Sequence, residues 1–172
     1  MRIYRAKVPV IAADVIKTLR QDGDVDITDA KAPEAEKDLV AILELYLKKD
    51  YELQEKAKDL VDLRGLTHSD LGRMRRELNE RHNHPAGDEA ISWLTGQFVE
   101  AFMASQHIEE VFADDMLMRR KVKEIFKRHM VDEAALDREV RERMKNLTEG
   151  TNAWTIQYQK IMREVRRKYG LS

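Results

Sequence analysis

The residues best suited to metal chemistry are an acidic triplet and a pair of histidines. Asp22, Asp24 and Asp26 follow the alternating pattern that begins a calcium-binding loop. That loop needs a glycine at its sixth position and a bidentate glutamate at its twelfth, where this chain has Ile27 and Pro33. The triplet therefore indicates an acidic loop between two helices, and no bound metal is expected there.

His82 and His84 could offer two imidazoles to a transition metal, because alternate residues of an extended segment point the same way. No further ligand is evident in the sequence. Di-iron helical bundles need a glutamate three positions before a histidine, and none of the five histidines has one. Whether His82 and His84 bind a metal stays open, and no cofactor is expected.

Enzymatic chemistry has no recognisable motif in this sequence. The chain contains no cysteine, which excludes disulfides, thiolate metal sites and a cysteine nucleophile. It also lacks a phosphate-binding glycine loop, a nucleophile elbow and a zinc-protease helix. The adjacent carboxylates Asp114 and Asp115 are more typical of a helix start, where the helix dipole favours negative charge. The sequence therefore favours a protein that is not an enzyme.

A basic cluster near the end of the chain is the strongest binding signal. Arg163, Arg166 and Arg167 are spaced to share one helix face, and Lys168 follows them. Such a face could meet phosphate groups or another anionic partner. Basic residues also stabilise helix C-termini without any ligand. An overall pI near 6.5 argues against general affinity for nucleic acid.

Apolar residues at helical spacing are expected to form the core, and these include Trp93, Phe98, Phe102, Phe126 and Trp154. One short stretch carries apolar side chains that do not fit a single helix face. We interpret this stretch as a possible interaction surface, at the junction of the two halves or between copies of the chain. It consists of Phe112, Met116, Leu117 and Met118.

The elements that carry these residues are predicted to be helices throughout. Strong helix formers dominate the 172 residues, with only 7 Gly and 3 Pro to interrupt them. The pattern predicts an all-α bundle of about eight helices, divided by a linker-like stretch at His82–Gly87. The predicted helices span 7–21, 33–49, 51–64, 68–82, 88–105, 114–130, 132–148 and 152–169.

Several predicted boundaries carry helix-capping signals. Pro33 suits the first turn of a helix, where the missing N–H costs nothing. Thr67 and Asp70 approximate a capping box. Gly65 and Gly150 stand where helix C-caps are expected, because glycine tolerates the left-handed conformation there.

The apolar pattern repeats after 83 residues. Under this shift the first helix face, marked by Val8 and Leu19, falls on the face marked by Ile91 and Phe102, and the later helices follow without a gap. We interpret the repeat as a diverged duplication that produces two similar four-helix units with a pseudo-two-fold relation. The predicted units are residues 1–83 and 84–172, and whether they share one core stays open.

Charge is unevenly distributed along the chain. Residues 1–115 contain 16 Lys and Arg against 24 Asp and Glu, whereas residues 116–172 contain 15 against 8. The two halves could therefore attract each other, a second copy or an anionic partner. No segment offers the roughly 18 uninterrupted apolar residues of a membrane span, so we expect a cytoplasmic protein that does not bind membranes.

Residues 131–170, VDEAALDREVRERMKNLTEGTNAWTIQYQKIMREVRRKYG, closely resemble the C-terminal part of an uncharacterised bacterial family, domain of unknown function 507. The features shared are an acidic-basic helix, a turn ending in Gly150, and a helix with an aromatic residue that ends in basic residues before glycine. The stretch from Met1 to Asp50, with its LRQDGDVDITD segment, resembles the longer members. The resemblance implies no substrate, cofactor or catalytic residue.

Three classes of function remain from the sequence. A non-enzymatic helical interaction or scaffold protein, with a protein partner or self-association, is the leading hypothesis. A nucleic-acid-associated protein that uses the basic face of the last helix is the alternative. A small-ligand carrier or enzyme would need a polar cleft between the two halves.

Overall fold

The computed structural model describes residues 2–171, so Met1 and Ser172, the outer ends of the two predicted units, lie outside the described residues. Within this range the chain forms seven α-helices and two short strands, which confirms the predicted all-helical class. Strands β1 (Val25–Asp26) and β2 (Glu110–Val111) pair in antiparallel fashion. The helices are α1 (Val8–Gln21), α2 (Ala32–Leu63), α3 (Leu71–Arg81), α4 (Asp88–Ala104), α5 (Asp115–His129), α6 (Glu133–Glu142) and α7 (Asn152–Lys168).

The difference between eight predicted helices and seven observed ones lies in α2. This helix continues through Asp50, where the sequence suggested a break between two helices. Neither glycine nor proline interrupts the chain at that point. The carboxylate of Asp50 binds distant side chains instead of capping a backbone N–H, so nothing ends the helix there.

Most helix ends match the signals in the sequence. Pro33 lies in the first turn of α2, and Thr67 and Asp70 form the predicted capping box before α3. Gly65 ends α2 in the left-handed conformation, with φ of 62°. The N–H of Leu66 then donates to the carbonyl of Val61 at 2.9 Å, which turns the chain back along α2.

The predicted helix over 132–148 is wrong at its C-terminal end. Helix α6 ends at Glu142, and residues 143–150 form turns. Gly150 adopts a φ of 90°, but it precedes the Thr151 N-cap of α7 instead of capping α6. The hydroxyl of Thr151 donates to the carbonyl of Thr148 and accepts from the N–H of Trp154, so this turn organises the start of α7.

The largest apolar core is built from α1, α2, α4 and α5. Helix α1 packs against α2 and α5, α2 packs against α4, and α4 packs against α5. Phe98, Phe102 and Phe126 are buried at its centre, as predicted. Its residues come from both sides of the 83/84 boundary, so the two predicted units contribute to one apolar cluster.

Two smaller clusters flank this core. One joins the C-terminal half of α2 to α3 through residues such as Leu53, Ala57 and Met74. The other joins α6 to α7 and includes Tyr4. The N-terminal segment links the core to this second cluster, because Ile3 packs in the core and Arg2 exchanges two backbone hydrogen bonds with Val131.

The 83-residue spacing coincides with a repeat in burial. Helix α1 buries six residues, and the six residues 83 positions later in α4 are also buried. In α2, Leu39 and Leu43 are buried, as are Val122 and Phe126 in α5. The duplication itself stays a prediction. The paired buried positions are Val8 and Ile91, Ile11 and Leu94, Ala12 and Thr95, Val15 and Phe98, Ile16 and Val99, and Leu19 and Phe102.

Oppositely charged residues from the two parts of the chain meet directly. Lys121 of α5 binds both Asp22 and Asp24, and Arg128 of the same helix lies 3.5 Å from Asp14 of α1. These pairs use part of the charge asymmetry inside the molecule. Within residues 2–171 no helix is long and apolar enough to cross a membrane.

Candidate anion-binding site

The residues considered above as metal ligands have different surroundings in the structure. Asp22 and Asp24 hold the ammonium group of Lys121. His82 is exposed, whereas His84 is buried against α2, so the two imidazoles do not point the same way. No group of three or more metal-ligating side chains occurs among residues 2–171.

The end of α3 explains why the two histidines diverge. Asn83 adopts the left-handed conformation, with φ of 48°, directly after the last turn of the helix. The N–H of His84 then donates to the carbonyl of Asn79 at 2.8 Å. This reversal directs His84 inward, because the chain folds back over the helix end.

His84 belongs to a polar network centred on Asp50 in the middle of α2. Arg75 of α3 donates to both carboxylate oxygens of Asp50 at 2.8 and 2.9 Å, and Nε2 of His84 lies 3.2 Å from Oδ1. The imidazole also stacks on Tyr46, with ring centroids 4.7 Å apart. The network thus fixes the linker after α3 against α2.

Tyr46 closes this network on the side of the linker. Its hydroxyl donates to the carbonyl of Pro85 at 3.0 Å. Burial, followed by the nearby negative charge of Asp50, raises the pKa of Tyr46 to about 12. The phenol therefore remains a neutral hydrogen-bond donor at physiological pH.

A cleft of about 440 Å³ opens beside this network, where the N-terminal segment crosses α2 and α7. We call it the basic cleft, because four cationic side chains line it: Arg2, Arg5, Lys48 and Arg166. Among residues 2–171, Asp50 is the one carboxylate in its lining, and Arg75 and His84 already bind that group. Tyr4 and Tyr51 contribute aromatic surface.

Two of the four cations have carboxylate partners. The guanidinium group of Arg5 pairs with Glu44 at 2.8 Å, although its side chain is 73% exposed. Arg2 lies 3.4 Å from Glu133. The hydroxyl of Tyr4 donates to the same glutamate at 3.0 Å, and burial together with Glu133 raises the pKa of Tyr4.

The other two cations, Lys48 and Arg166, have no carboxylate within 4.0 Å among residues 2–171. Arg166 is half-buried, with its guanidinium group 5.7 Å from the centroid of the Tyr4 ring. Its Nε is buried and has no hydrogen-bond partner among the described residues. A buried donor without an acceptor costs about 1–3 kcal/mol, and a bound anion would supply that acceptor.

The predicted basic face of α7 is divided in the structure. Arg163 and Arg167 are exposed, whereas Arg166 packs inward on Tyr4. Lys168 donates to Glu139 of α6 at 3.0 Å. This hydrogen bond is the main reason that the pKa of Glu139 is lowered. Only Arg166 of the predicted cluster therefore lies in the basic cleft.

The predicted apolar surface is also divided. Phe112 is 60% exposed and Met116 is 81% exposed, while Leu117 is half-buried. Including Met118 in this surface was wrong, because its side chain is 1% exposed and packs in the large core. Met103, which the sequence analysis did not single out, is 71% exposed at the adjoining end of α4.

Sequence reasoning identified Arg166 but missed its neighbours in the cleft. Arg2, Arg5 and Lys48 lie far from Arg166 in the sequence, and the N-terminal segment meets α7 only in the folded chain. The basic character of MRIYRAK was visible, but its position beside α7 was not.

Comparison with known proteins shows that one family model matches almost the entire chain. The family model described as protein of unknown function (DUF507) matches residues 1–171, in agreement with the resemblance described above. No curated protein matches the chain.

Proposed function

The chain belongs to the family of proteins of unknown function DUF507, and we propose that it is a non-enzymatic helical interaction protein that binds an anionic group of its partner in the basic cleft. The observation that carries this proposal is the pair Lys48 and Arg166, two cations without a carboxylate partner among residues 2–171 on the wall of one cleft. A carboxylate or a phosphate of the partner is the chemistry that these cations recognise.

The surroundings favour an anion over a neutral ligand. Four cationic side chains face the cleft, and the one carboxylate that residues 2–171 contribute to its lining is already bound by Arg75 and His84. Charge-assisted hydrogen bonds to an anion are roughly twice as strong as neutral ones. The ring of Tyr4 holds two guanidinium groups at 5.6 and 5.7 Å, those of Arg2 and Arg166, and so limits their movement.

Titration with inorganic pyrophosphate, followed by calorimetry at low salt, tests the cleft directly. We expect the separate variants Arg166→Gln and Lys48→Gln each to weaken binding about tenfold or more, because each removes a charge-assisted hydrogen bond. Arg163→Gln is the matched control, since Arg163 lies on the same helix but outside the cleft.

Equal weakening by all three substitutions would contradict the proposal, because it would mean that general positive charge and no specific cleft attracts the anion. Binding of pyrophosphate itself, without any macromolecular partner in cells, would instead favour the third class of function, a small-ligand carrier. An interaction protein and a small-ligand carrier would both bind the anion through the cationic side chains of the cleft.

Self-association is the second part of this proposal. The exposed side chains Met103, Phe112 and Met116 lie at the end of the α4–α5 pair and support a protein contact there. Light scattering would detect a dimer, which Phe112→Ser together with Met116→Ser should dissociate. A strict monomer at all accessible concentrations would count against self-association.

Nucleic-acid association remains the alternative function. Arg163 and Arg167 are exposed on α7, and among residues 2–171 neither lies within 4.0 Å of a carboxylate. Mass spectrometry of proteins captured with the tagged chain, with and without nuclease, separates the two proposals. Partners that survive nuclease support a protein interaction. Loss of every partner after nuclease treatment would favour nucleic acid, and charge reversal at Arg163 and Arg167 would then abolish binding.

Two broader proposals accompany this function. We propose that the chain acts in the bacterial cytoplasm, which fractionation of cells would test. We also propose that its halves arose by duplication, supported by the buried pairs 83 residues apart in α1 and α4. An experimental structure in which residues 8–81 fail to superpose on residues 91–164 would count against the duplication.

A further inference from the structure

A second hollow, of about 520 Å³, lies on the other side of the linker and has a different character. It is bounded by α3, the segment after it and the first turns of α4. We call it the acidic hollow. The residues that matter for its chemistry are Arg76, Asn79, Glu80, Glu89 and Trp93.

Asn79 is an unusual residue in the wall of the acidic hollow. Its side chain is buried, since the residue is only 8% exposed. Its Oδ1 has no hydrogen-bond donor among residues 2–171. A buried acceptor without a donor is costly, so a ligand that donates a hydrogen bond here would recover free energy.

Two exposed carboxylates face the same hollow. Glu80 of α3 and Glu89 of α4 line it, and among residues 2–171 neither lies within 4.0 Å of a cationic side-chain nitrogen. Among residues 2–171, Arg76 is the one cationic side chain with a permanent charge in the lining, and no carboxylate of these residues lies within 4.0 Å of it. Negative charge therefore exceeds permanent positive charge in the hollow.

Trp93 adds an aromatic surface to the acidic hollow, beside Asn79 and the two glutamates. Its side chain was predicted to be buried but is 42% exposed, which is uncommon for so large an apolar group beside a hollow. Tyr46 lies behind it, with ring centroids 6.1 Å apart. Among residues 2–171 no cationic group lies over the Trp93 ring.

The second tryptophan of the chain shows the same components with the cation present. The guanidinium group of Arg141 lies 5.4 Å from the centroid of the Trp154 ring. The ring of Trp154 stacks on Tyr158, and Asp137 pairs with Arg141 at 2.8 Å. Around Trp93 the aromatic neighbour and the carboxylates are present, but among residues 2–171 no cationic group lies over the ring.

We propose that the acidic hollow binds a basic side chain of a partner protein, with an arginine preferred to a lysine. The guanidinium group stacks on Trp93, donates to Oδ1 of Asn79 and pairs with Glu80 and Glu89. Arginine is preferred because its planar group stacks on an aromatic ring while its N–H groups donate in several directions. Two carboxylates on the walls disfavour a phosphate or a nucleic acid at this position.

Fluorescence of Trp93 provides the test. Trp154→Phe leaves Trp93 as the sole tryptophan, because the chain has 2 tryptophans. The probe is the blocked tripeptide acetyl-Gly-Arg-Gly-amide, compared with its lysine, citrulline and glutamate analogues. We expect the arginine peptide to bind most tightly, and the citrulline peptide at least about threefold more weakly, because citrulline keeps the shape of arginine without its charge.

Substitutions in the hollow should change the affinity for the arginine peptide according to the charge that they remove. Glu80→Gln and Glu89→Gln are each expected to weaken binding about threefold. Glu142→Gln is the matched control, since Glu142 is an exposed glutamate of α6 outside the hollow. Arg76→Ala is expected to strengthen binding, because it removes the positive charge that competes with the ligand.

The proposal is overturned if the arginine peptide does not bind, if the glutamate peptide binds more tightly, or if Arg76→Ala weakens binding of the arginine peptide. Arg166→Gln, in the basic cleft, should leave the affinity for this peptide unchanged. Failure of the anion-binding proposal can thus be distinguished from failure of this one.

Discussion

Asp50 is the residue on which the centre of the molecule depends. It is 9% exposed and accepts from Arg75 while contacting His84, so one carboxylate ties α2 to α3 and to the linker. Such a group stabilises the fold only while all its partners are present, because a buried polar group without a partner is costly.

We expect Asp50→Asn to lower the free energy of unfolding by about 1–3 kcal/mol, since Arg75 and His84 then lose their anionic acceptor. Urea unfolding of this variant, of Arg75→Gln and of the double variant measures the effect. A double variant whose loss equals the sum of the single losses would show that the two side chains are not coupled.

The pair Asp137 and Tyr158 makes stability depend on pH. The hydroxyl of Tyr158, and then Arg141, hold the pKa of Asp137 below its ordinary value of 3.8. Burial, and then the hydrogen bond to Asp137, raise the pKa of Tyr158 to about 12. Because folding lowers the carboxyl pKa, the folded state binds this proton more weakly than the unfolded state.

The contribution of Asp137 is therefore complete above pH 3.8 and is lost as the pH falls through its lowered pKa. We expect Asp137→Asn to cost less than about 1 kcal/mol near pH 7, since the side chain is 36% exposed. The difference from the natural chain should shrink in acid. Urea unfolding across the pH range measures this difference, with Asp59→Asn, at an exposed position of α2, as the control.

At the scale of the helix, the turn after α2 decides how α3 folds back. Gly65 has a φ of 62°, whereas Gly72 lies within α3 and has no neighbouring atom within 4 Å of an added Cβ. Gly65→Ala is expected to cost about 1–2 kcal/mol, because a Cβ is strained in the left-handed conformation. Gly72→Ala should stabilise by about 0.5 kcal/mol. Thermal unfolding in which both substitutions act with the same sign would contradict this account.

Helix boundaries were predictable where the sequence contains a local signal. The start of α2 at Pro33, its end at Gly65 and the capping box at Thr67 follow from single residues and their neighbours. The continuity of α2 through Asp50 and the early end of α6 were not predictable. They depend on contacts between distant helices and on turns, which periodicity does not encode.

For the whole molecule, three apolar clusters of unequal size predict unequal local stability. Helix α3 packs on α2 through a small cluster, whereas α1 and α4 lie in the large core. We expect amide hydrogens of α3 to exchange at a lower opening free energy than those of α1 and α4. Met74→Ala should accelerate exchange in α3 and leave α1 unchanged, whereas Phe98→Ala should accelerate exchange throughout. Uniform acceleration by Met74→Ala would show that the clusters unfold together.

The candidate sites were far less predictable than the fold class. Arg2, Lys48 and Arg166 form one cleft only after α2, α7 and the N-terminal segment have packed together. Burial of single apolar residues was also not predictable. Met118 and Trp93 both lie on helices, yet Met118 is buried and Trp93 is exposed. Helical spacing gives the face of a helix, but the neighbouring elements determine whether that face is covered.

The pairing of Arg2 with Val131 has a consequence for synthesis on the ribosome. Arg2 emerges before Val131, and at typical translation rates Val131 follows roughly 10 s later. The large core can form from α1 to α5 during that interval, but the basic cleft cannot, because it also requires α7. A nascent chain therefore gains its anion-binding site only after α7 has emerged, and a truncated translation product that stops before α7 would fold its core without being able to bind the partner.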